Sequence, residues 1–145
     1  MKAIIWTKYG SPDGLQLQEI EKPTPKDNEI LIKIRATTIT AGDCEMRTLK
    51  FPIWIRIPMR VYVGFRKPER VKILGGYLSG EVETVGKDVT QVSVGEEVFG
   101  FTGFRFGTYA EYICLPENAV LTTKPANMTF EEAAPVSLGG LEALH

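Results

Sequence analysis

The stretch ILGGYLSGEVETVG, residues 73–86, places four glycines in fourteen positions, and its reading decides the fold. A loop that cradles a nucleotide phosphate needs G-x-G-x-x-G between a strand and a helix, so that backbone N–H groups and the helix N-terminus face the anion. Here Gly75, Gly76, Gly80 and Gly86 form no G-x-G, and no Lys-Ser/Thr pair follows as a phosphate loop requires. After Gly80, the run Glu81-Val82-Glu83-Thr84-Val85 alternates polar and apolar residues and is rich in β-branched ones, the pattern of a half-buried strand. Its two carboxylates would also repel a phosphate. The glycines therefore serve a curved strand and its turns, where the backbone bends or is closely approached.

Strand signals extend outward on both sides. Lys2–Trp6 is a short apolar strand, and residues 15–20 (LQLQEI) alternate. PTPKDNE, residues 23–29, is a turn. Beyond it Ile30, Ile32 and Ile34 alternate with Leu31, Lys33 and Arg35. Further strands are expected at residues 80–85, 97–101, 109–115 and 120–122. Short strands separated by glycine-bearing turns about every 8–12 residues predict a closed or nearly closed β-barrel.

Composition narrows the function classes. At 145 residues one domain is the default, and 43% hydrophobic with 24% charged residues is ordinary globular composition. A net charge of −1 argues against a nucleic-acid binder, and no apolar run reaches membrane-spanning length. Neither nucleic acid nor a membrane is expected as a partner. Cys44 and Cys114 lie far apart and form no disulfide framework, so a cytoplasmic protein with reduced thiols is expected. Both cysteines read as ordinary buried small residues.

Two segments break the strand pattern. Residues 42–49 read as a short helix that runs into KFPIWIRIPMRVYVGFRKPERVK, where three prolines argue against any long regular element. Residues 47–72 hold eight Lys/Arg and one Glu, so the rest of the chain carries −8. Phe51, Trp54, Tyr62 and Phe65 are interleaved with that charge, a mix compatible with an anionic ligand, nucleic acid or a membrane surface. The favoured reading of 51–72 is a long loop packed by its apolar residues, with a lid over a pocket as its functional version. In the second segment, Thr129 and Glu132 form a capping box that opens a helix, and Pro135 is expected to break or kink it. The helix ends without a cap, as if truncated.

Three segments carry a family resemblance: MKAIIWTKYGSPDGLQLQEIEKPTPKDNEILIKIRATTIT, GEVETVGKDVTQVSVGEEVFG and GTYAEYICLPENAVLTTKPANMTFEEAA. They resemble the medium-chain dehydrogenase/reductases, within them the zinc-independent quinone oxidoreductase (zeta-crystallin-like) branch. The resemblance implies a mainly β fold: a GroES-like, partly open β-barrel with short helices and a truncated C-terminal helix. It implies a catalytic domain over residues 1–128, with 129–145 opening the connection to a Rossmann domain that binds NADP or NAD and is missing from this chain. The active site would lie in the cleft between the two domains.

On that alignment, GGYLSG falls where zinc alcohol dehydrogenases carry Gly-His-Glu-x-x-Gly, with Gly76 at the His position and Tyr77 at the acid position. Thr40-Ala41-Gly42-Asp43 falls on Cys-His-x-Asp, and only Asp43 matches. A catalytic zinc needs three protein ligands, and one His, at position 145, with two distant cysteines supplies no such set. No metal is expected. Without it, the branch uses the nicotinamide as hydride donor, and the protein supplies orientation and a proton. The resemblance makes Thr40, Asp43 and Tyr77 the catalytic candidates, with Tyr77 donating to a developing enolate oxygen. Arg47 and Trp54 are substrate-binding candidates, and Gly139 and Gly140 are cofactor-binding ones. Asp43 reads equally well as the cap of the 42–49 helix. Glu142 stands where the family's Gly-Leu-Thr-Ala carries Thr, beside the cofactor.

The expected activity is hydride transfer between NAD(P) and a quinone, enone or other carbonyl by the intact enzyme, with little cofactor binding or turnover by this chain alone. The alternatives are a non-enzymatic GroES-like interaction module using the basic segment, or an inactive truncated product. Leu138, Leu141 and Leu144, on one helical side, and the 51–72 segment are the expected surfaces of a homodimer.

Overall fold

The computed structural model describes the backbone of residues 1–143 and the side chains of residues 1–137. Two strands, β1 (Lys2–Trp6) and β2 (Leu15–Glu19), pair as an antiparallel hairpin, Lys2 opposite Glu19 and Trp6 opposite Leu15. The main sheet contains β3 (Glu29–Thr37), β4 (Tyr77–Val85), β5 (Glu97–Phe101), β6 (Tyr112–Pro116) and β7 (Val120–Thr123), in the order β6-β3-β4-β5-β7. Every neighbouring pair is antiparallel. Among the described residues no ladder joins β6 to β7, and the hairpin is linked to the other β structure by the isolated bridges Ala3–Ala110 and Ile5–Ile73 rather than by a ladder. The architecture is the partly open form of the expected barrel, and the fully closed one is not formed.

Within the glycine stretch Tyr77–Val85 is strand, as the alternation predicts, and Gly75, Gly76 and Gly86 lie at its ends. β4 lies at the centre of the sheet, where a Cβ at Gly80 would sit 2.3 Å from the Lys33 carbonyl oxygen of β3. The alternation expected in β3 is imperfect: Leu31 is buried together with Ile30 and Ile32, where the β3–β4 register shifts between Leu31 and Ile32. The strand expected at 109–115 begins only at Tyr112. Its first residues bond elsewhere, Thr108 and Tyr109 N–H to the carbonyls of Gly75 and Leu74, and Ile4 N–H to Tyr109 O.

Three helices complete the chain: α1 (Ala41–Thr48), α2 (Ile53–Val63) and α3 (Phe130–Ala143). Helix α2 corrects the reading of 51–72 as an irregular loop. Pro52 precedes the helix and Pro68 follows it, so only Pro58 falls inside. Pro58 removes one internal hydrogen bond, the one to Trp54 O, on an exposed side where water can replace it. Pro135 likewise sits within α3 without breaking it, and the Thr129–Glu132 capping box forms, Thr129 N–H donating to Glu132 Oε2 at 2.9 Å. Leu138, Gly139, Gly140, Leu141 and Leu144 lie outside the residues whose side-chain surroundings are described.

Two apolar clusters hold these elements. Ile30, Ile32, Leu78, Val82, Val98, Ile113 and Leu115 fill the sheet. Trp6, Met46, Val63, Val71, Leu74 and Tyr109 form a second cluster that fixes α1 and α2 against the hairpin and the turn before β4. The second cluster positions the candidate site.

Candidate functional site

The site begins at the N-terminus of α1. Thr40 has extended backbone angles, and its Oγ1 accepts the Asp43 N–H at 3.3 Å. In return Asp43 Oδ2 accepts the Thr40 N–H at 2.8 Å and the Thr40 hydroxyl at 2.7 Å, a reciprocal cap. The other carboxylate oxygen, Oδ1, accepts the Gly75 N–H at 3.2 Å. Buried Asp43 thus ties α1 to the glycine turn that delivers Tyr77, thirty-two residues away from it at Gly75.

Gly75 has φ +89°, and a Cβ there would lie 2.2 Å from Thr108 Oγ1 and 2.6 Å from the Tyr109 ring, so only glycine fits. At Gly76 a Cβ would meet the Phe101 ring at 3.0 Å. Phe101 in turn stacks on Tyr77, with ring centroids 4.8 Å apart at 22°. Thr37 Oγ1 donates to the Tyr77 carbonyl at 2.7 Å and lies 2.8 Å from Thr108 Oγ1.

Below Asp43 opens a pocket of about 490 Å³ between the β1–β2 hairpin, the end of β3 and α1. Ile4, Leu17, Ile34, Ile39 and Leu74 make its wall apolar, with Asp43, Cys44 and Arg47 lining it from α1 and Tyr109 from the segment before β6. Burial pushes the Tyr109 phenol pKa above its ordinary value, and the Asp43 charge adds to the rise. Tyr109 Oη makes no hydrogen bond of good geometry, so Asp43 acts on it chiefly through its charge. The Arg47 guanidinium donates to Gly10 O, which fixes it between α1 and the loop after β1.

The structure brings Thr40 and Asp43 together with Gly75 and adds Arg47 at the pocket, whereas Tyr77, the first residue of β4, stacks on Phe101 and is not among the residues that line the pocket. It places Trp54 elsewhere, on the exposed side of α2, in a separate hollow of about 470 Å³ with Pro58, Met59, Tyr62 and Phe104. Cys44 is exposed and Cys114 half-buried, which corrects the reading of both as buried. Burial, then the Glu29 charge, raises the Cys114 thiol pKa. Tyr109 and Phe101 escaped the sequence reading. Their sole signal was the glycine before each contact, because a glycine shows that something approaches and not what approaches. Among the described residues no group of three or more His, Cys, Asp or Glu is placed to hold a metal ion.

The open antiparallel sheet with its capped first helix fits the GroES-like class of dehydrogenase domains. Residues 26–125 match the family model of the alcohol dehydrogenase GroES-like domain, and the chain belongs to that family. A zinc-type alcohol dehydrogenase-like protein of Schizosaccharomyces pombe is 34% identical over 142 residues, covering 95% of this chain and 39% of the relative. The quinone oxidoreductase of Coxiella burnetii superposes with a TM-score of 0.82 at 31% identity, covering 99% of this chain and 43% of that one. The Escherichia coli quinone oxidoreductase, solved in complex with NADPH, superposes with a TM-score of 0.77 at 26% identity, covering 98% and 39%. The chain therefore spans about two-fifths of the length of these relatives.

Proposed function

We propose that this chain is the substrate-side domain of a zinc-independent, NAD(P)-dependent reductase acting on quinones, enones or related carbonyl compounds. The Phe101 ring carries the reading. It closes the space at Gly76 and stacks on Tyr77, the two positions where the zinc enzymes carry His and an acid. A catalytic zinc takes three protein ligands, and the donor count here, one His at position 145 and two cysteines far apart in the sequence, supports the zinc-free part of the reading.

A bound nicotinamide would supply hydride. The described elements include no strand–glycine turn–helix unit of the dinucleotide-binding kind, so residues outside them would hold its phosphates. What this chain contributes is orientation and a proton. Both Thr40 and Asp43 spend their polar atoms on the cap and on Gly75, which makes them positioning residues. Tyr77, held by the Phe101 stack, is the group that meets the carbonyl oxygen as charge develops on it.

A chimera joining residues 1–143 to the nucleotide-binding portion of the Escherichia coli enzyme tests this reading. It should oxidise NADPH only when a benzoquinone is present and be indifferent to a zinc chelator, and Tyr77→Phe should lower kcat by about 10²-fold. Chelator-sensitive turnover, or turnover unaffected by Tyr77→Phe, would refute it. The 145-residue chain by itself should show no turnover.

A further inference from the structure

The basic segment was expected to pack its apolar residues inward. Instead α2 turns most of them out. Its inner side is made by buried Val63 with half-buried Ile55 and Met59. On its outer side Ile53, Ile57 and Val61 form an i, i+4, i+8 stripe, with Trp54, Pro58 and Tyr62 alongside as a second stripe. Ile53, Trp54, Ile57 and Val61, with Phe65 just after the helix and Phe104 beside it, are each 60–73% exposed. Tyr62 Oη donates to Phe104 O at 2.9 Å, which fixes the 103–105 turn against the helix and extends the patch. No charged side chain belongs to either outer stripe. Isolated exposed apolar residues are normal, but a contiguous set this large marks an interaction surface.

The rim decides what covers it. Arg56 flanks the stripes along the helix, Arg66, Lys67 and Arg70 follow its C-terminal end, and Arg105 adjoins Phe104; all five are exposed. Arg70 Nη1 donates to Val61 O at 3.2 Å and Arg60 Nη1 to Phe65 O at 3.0 Å, so two cations are fixed at the end of the helix. Glu69 is the sole acid among residues 47–72, against eight Lys/Arg, while the remaining residues are net −8. The charge asymmetry therefore favours the approach of this segment to an anionic surface. An aliphatic centre, aromatic residues and a cationic rim match the depth profile of a bilayer: acyl chains, interface, headgroups. Nucleic acid would need polar donors at the centre, where this patch has aliphatic side chains.

We infer that α2 is an interfacial helix that lies on anionic lipid membranes, inserting Ile53, Trp54, Ile57 and Val61 while Arg56, Arg66, Lys67 and Arg70 meet the headgroups. The inference is independent of the proposed catalysis and replaces the expectation of no membrane contact. No described helix is long and apolar enough to cross a membrane, but lying on one asks only for a single apolar face.

Phosphatidylcholine vesicles with and without about one-third phosphatidylserine test it on the full chain. Trp6 is buried, so a change in emission reports Trp54. The protein should co-sediment with the anionic vesicles, shift its emission to the blue and be quenched by brominated acyl chains. Trp54→Phe should abolish the shift. Arg66→Gln with Lys67→Gln, in an exposed loop where folding is preserved, should weaken anionic-vesicle binding roughly 30-fold. Ile57→Asp with Val61→Asp should weaken it more than about tenfold, with the circular dichroism spectrum retained. Protein that stays in the supernatant, binding that ignores phosphatidylserine, or tighter binding to a single-stranded oligonucleotide would each overturn the inference.

Discussion

At the scale of single residues, Asp43 and Tyr109 show how a buried polar group acts on its surroundings. The Asp43 carboxylate accepts hydrogen bonds from Thr40 N–H, Thr40 Oγ1 and Gly75 N–H. Asp43→Ala leaves those donors without their acceptor and should cost about 2–4 kcal/mol, read from the urea midpoint, whereas Thr40→Ala should cost about 1 kcal/mol. Tyr109 makes a statement about pH. Its folded-state pKa is raised by burial first and the Asp43 charge second, from an ordinary value of 10.0. Above that pH the unfolded chain loses the phenolic proton while the folded one retains it. The stabilisation is therefore complete below pH 10.0 and is lost as pH rises toward the raised folded-state pKa. Urea midpoints should fall on the alkaline side, and Tyr109→Phe should flatten that limb while leaving the neutral-pH midpoint nearly unchanged.

At the scale of elements, α2 forms against its local chemistry. Pro52 at its N-cap makes no side-chain cap, and Pro58 interrupts its ladder. What holds it is tertiary: Val63 is fully buried in the cluster around Trp6, and Tyr9 Oη donates to Gly64 O just past its end. Packing of one face supplies most helical stability in proteins, so propensity can be overruled. Pro58→Ala restores the bond to Trp54 O and removes the ring clash. Allowing for the looser unfolded chain, it should raise stability by about 1–2 kcal/mol in denaturant unfolding. A fall instead would show that the outer face needs the local bend proline imposes.

At the scale of the whole molecule, α3 is tied into the sheet. Ala133 and Ala134 are buried, the helix packs on β3, β4 and β5, and Ser79 Oγ in β4 donates to Phe130 O at its start. The Lys124 ammonium, itself buried, pairs with Glu97 at 2.9 Å and donates to Met128 O at 2.6 Å, which fixes the turn leading into α3. Ending the chain after residue 128 strips that cover from Ser79 and the sheet. The shortened protein should lose its cooperative thermal transition or melt at least roughly 10 °C lower by circular dichroism.

The amino-acid sequence by itself determined what depends on neighbours along the chain. The alternation at 81–85 and the missing G-x-G made the glycine stretch a strand, and Thr129 with Glu132 announced the α3 cap. The opening segment through Thr40, the run from Gly80 and GTYAEY carried the family resemblance. These signals are local, because strand period and capping geometry are fixed within a few residues. Tertiary structure alone decided the rest. That Asp43 would hold Gly75, that Phe101 would occupy the space over Gly76, and that the apolar residues of α2 would face outward depend on contacts between segments far apart in the sequence, or on which side of a helix the core takes. The apolar stripe of Trp54, Pro58 and Tyr62 on α2 lies opposite Arg56 and Arg60, so the helical period by itself gives the wrong answer to which side is buried. Only the position of Trp6, Met46 and Leu74 beneath α2 settles it.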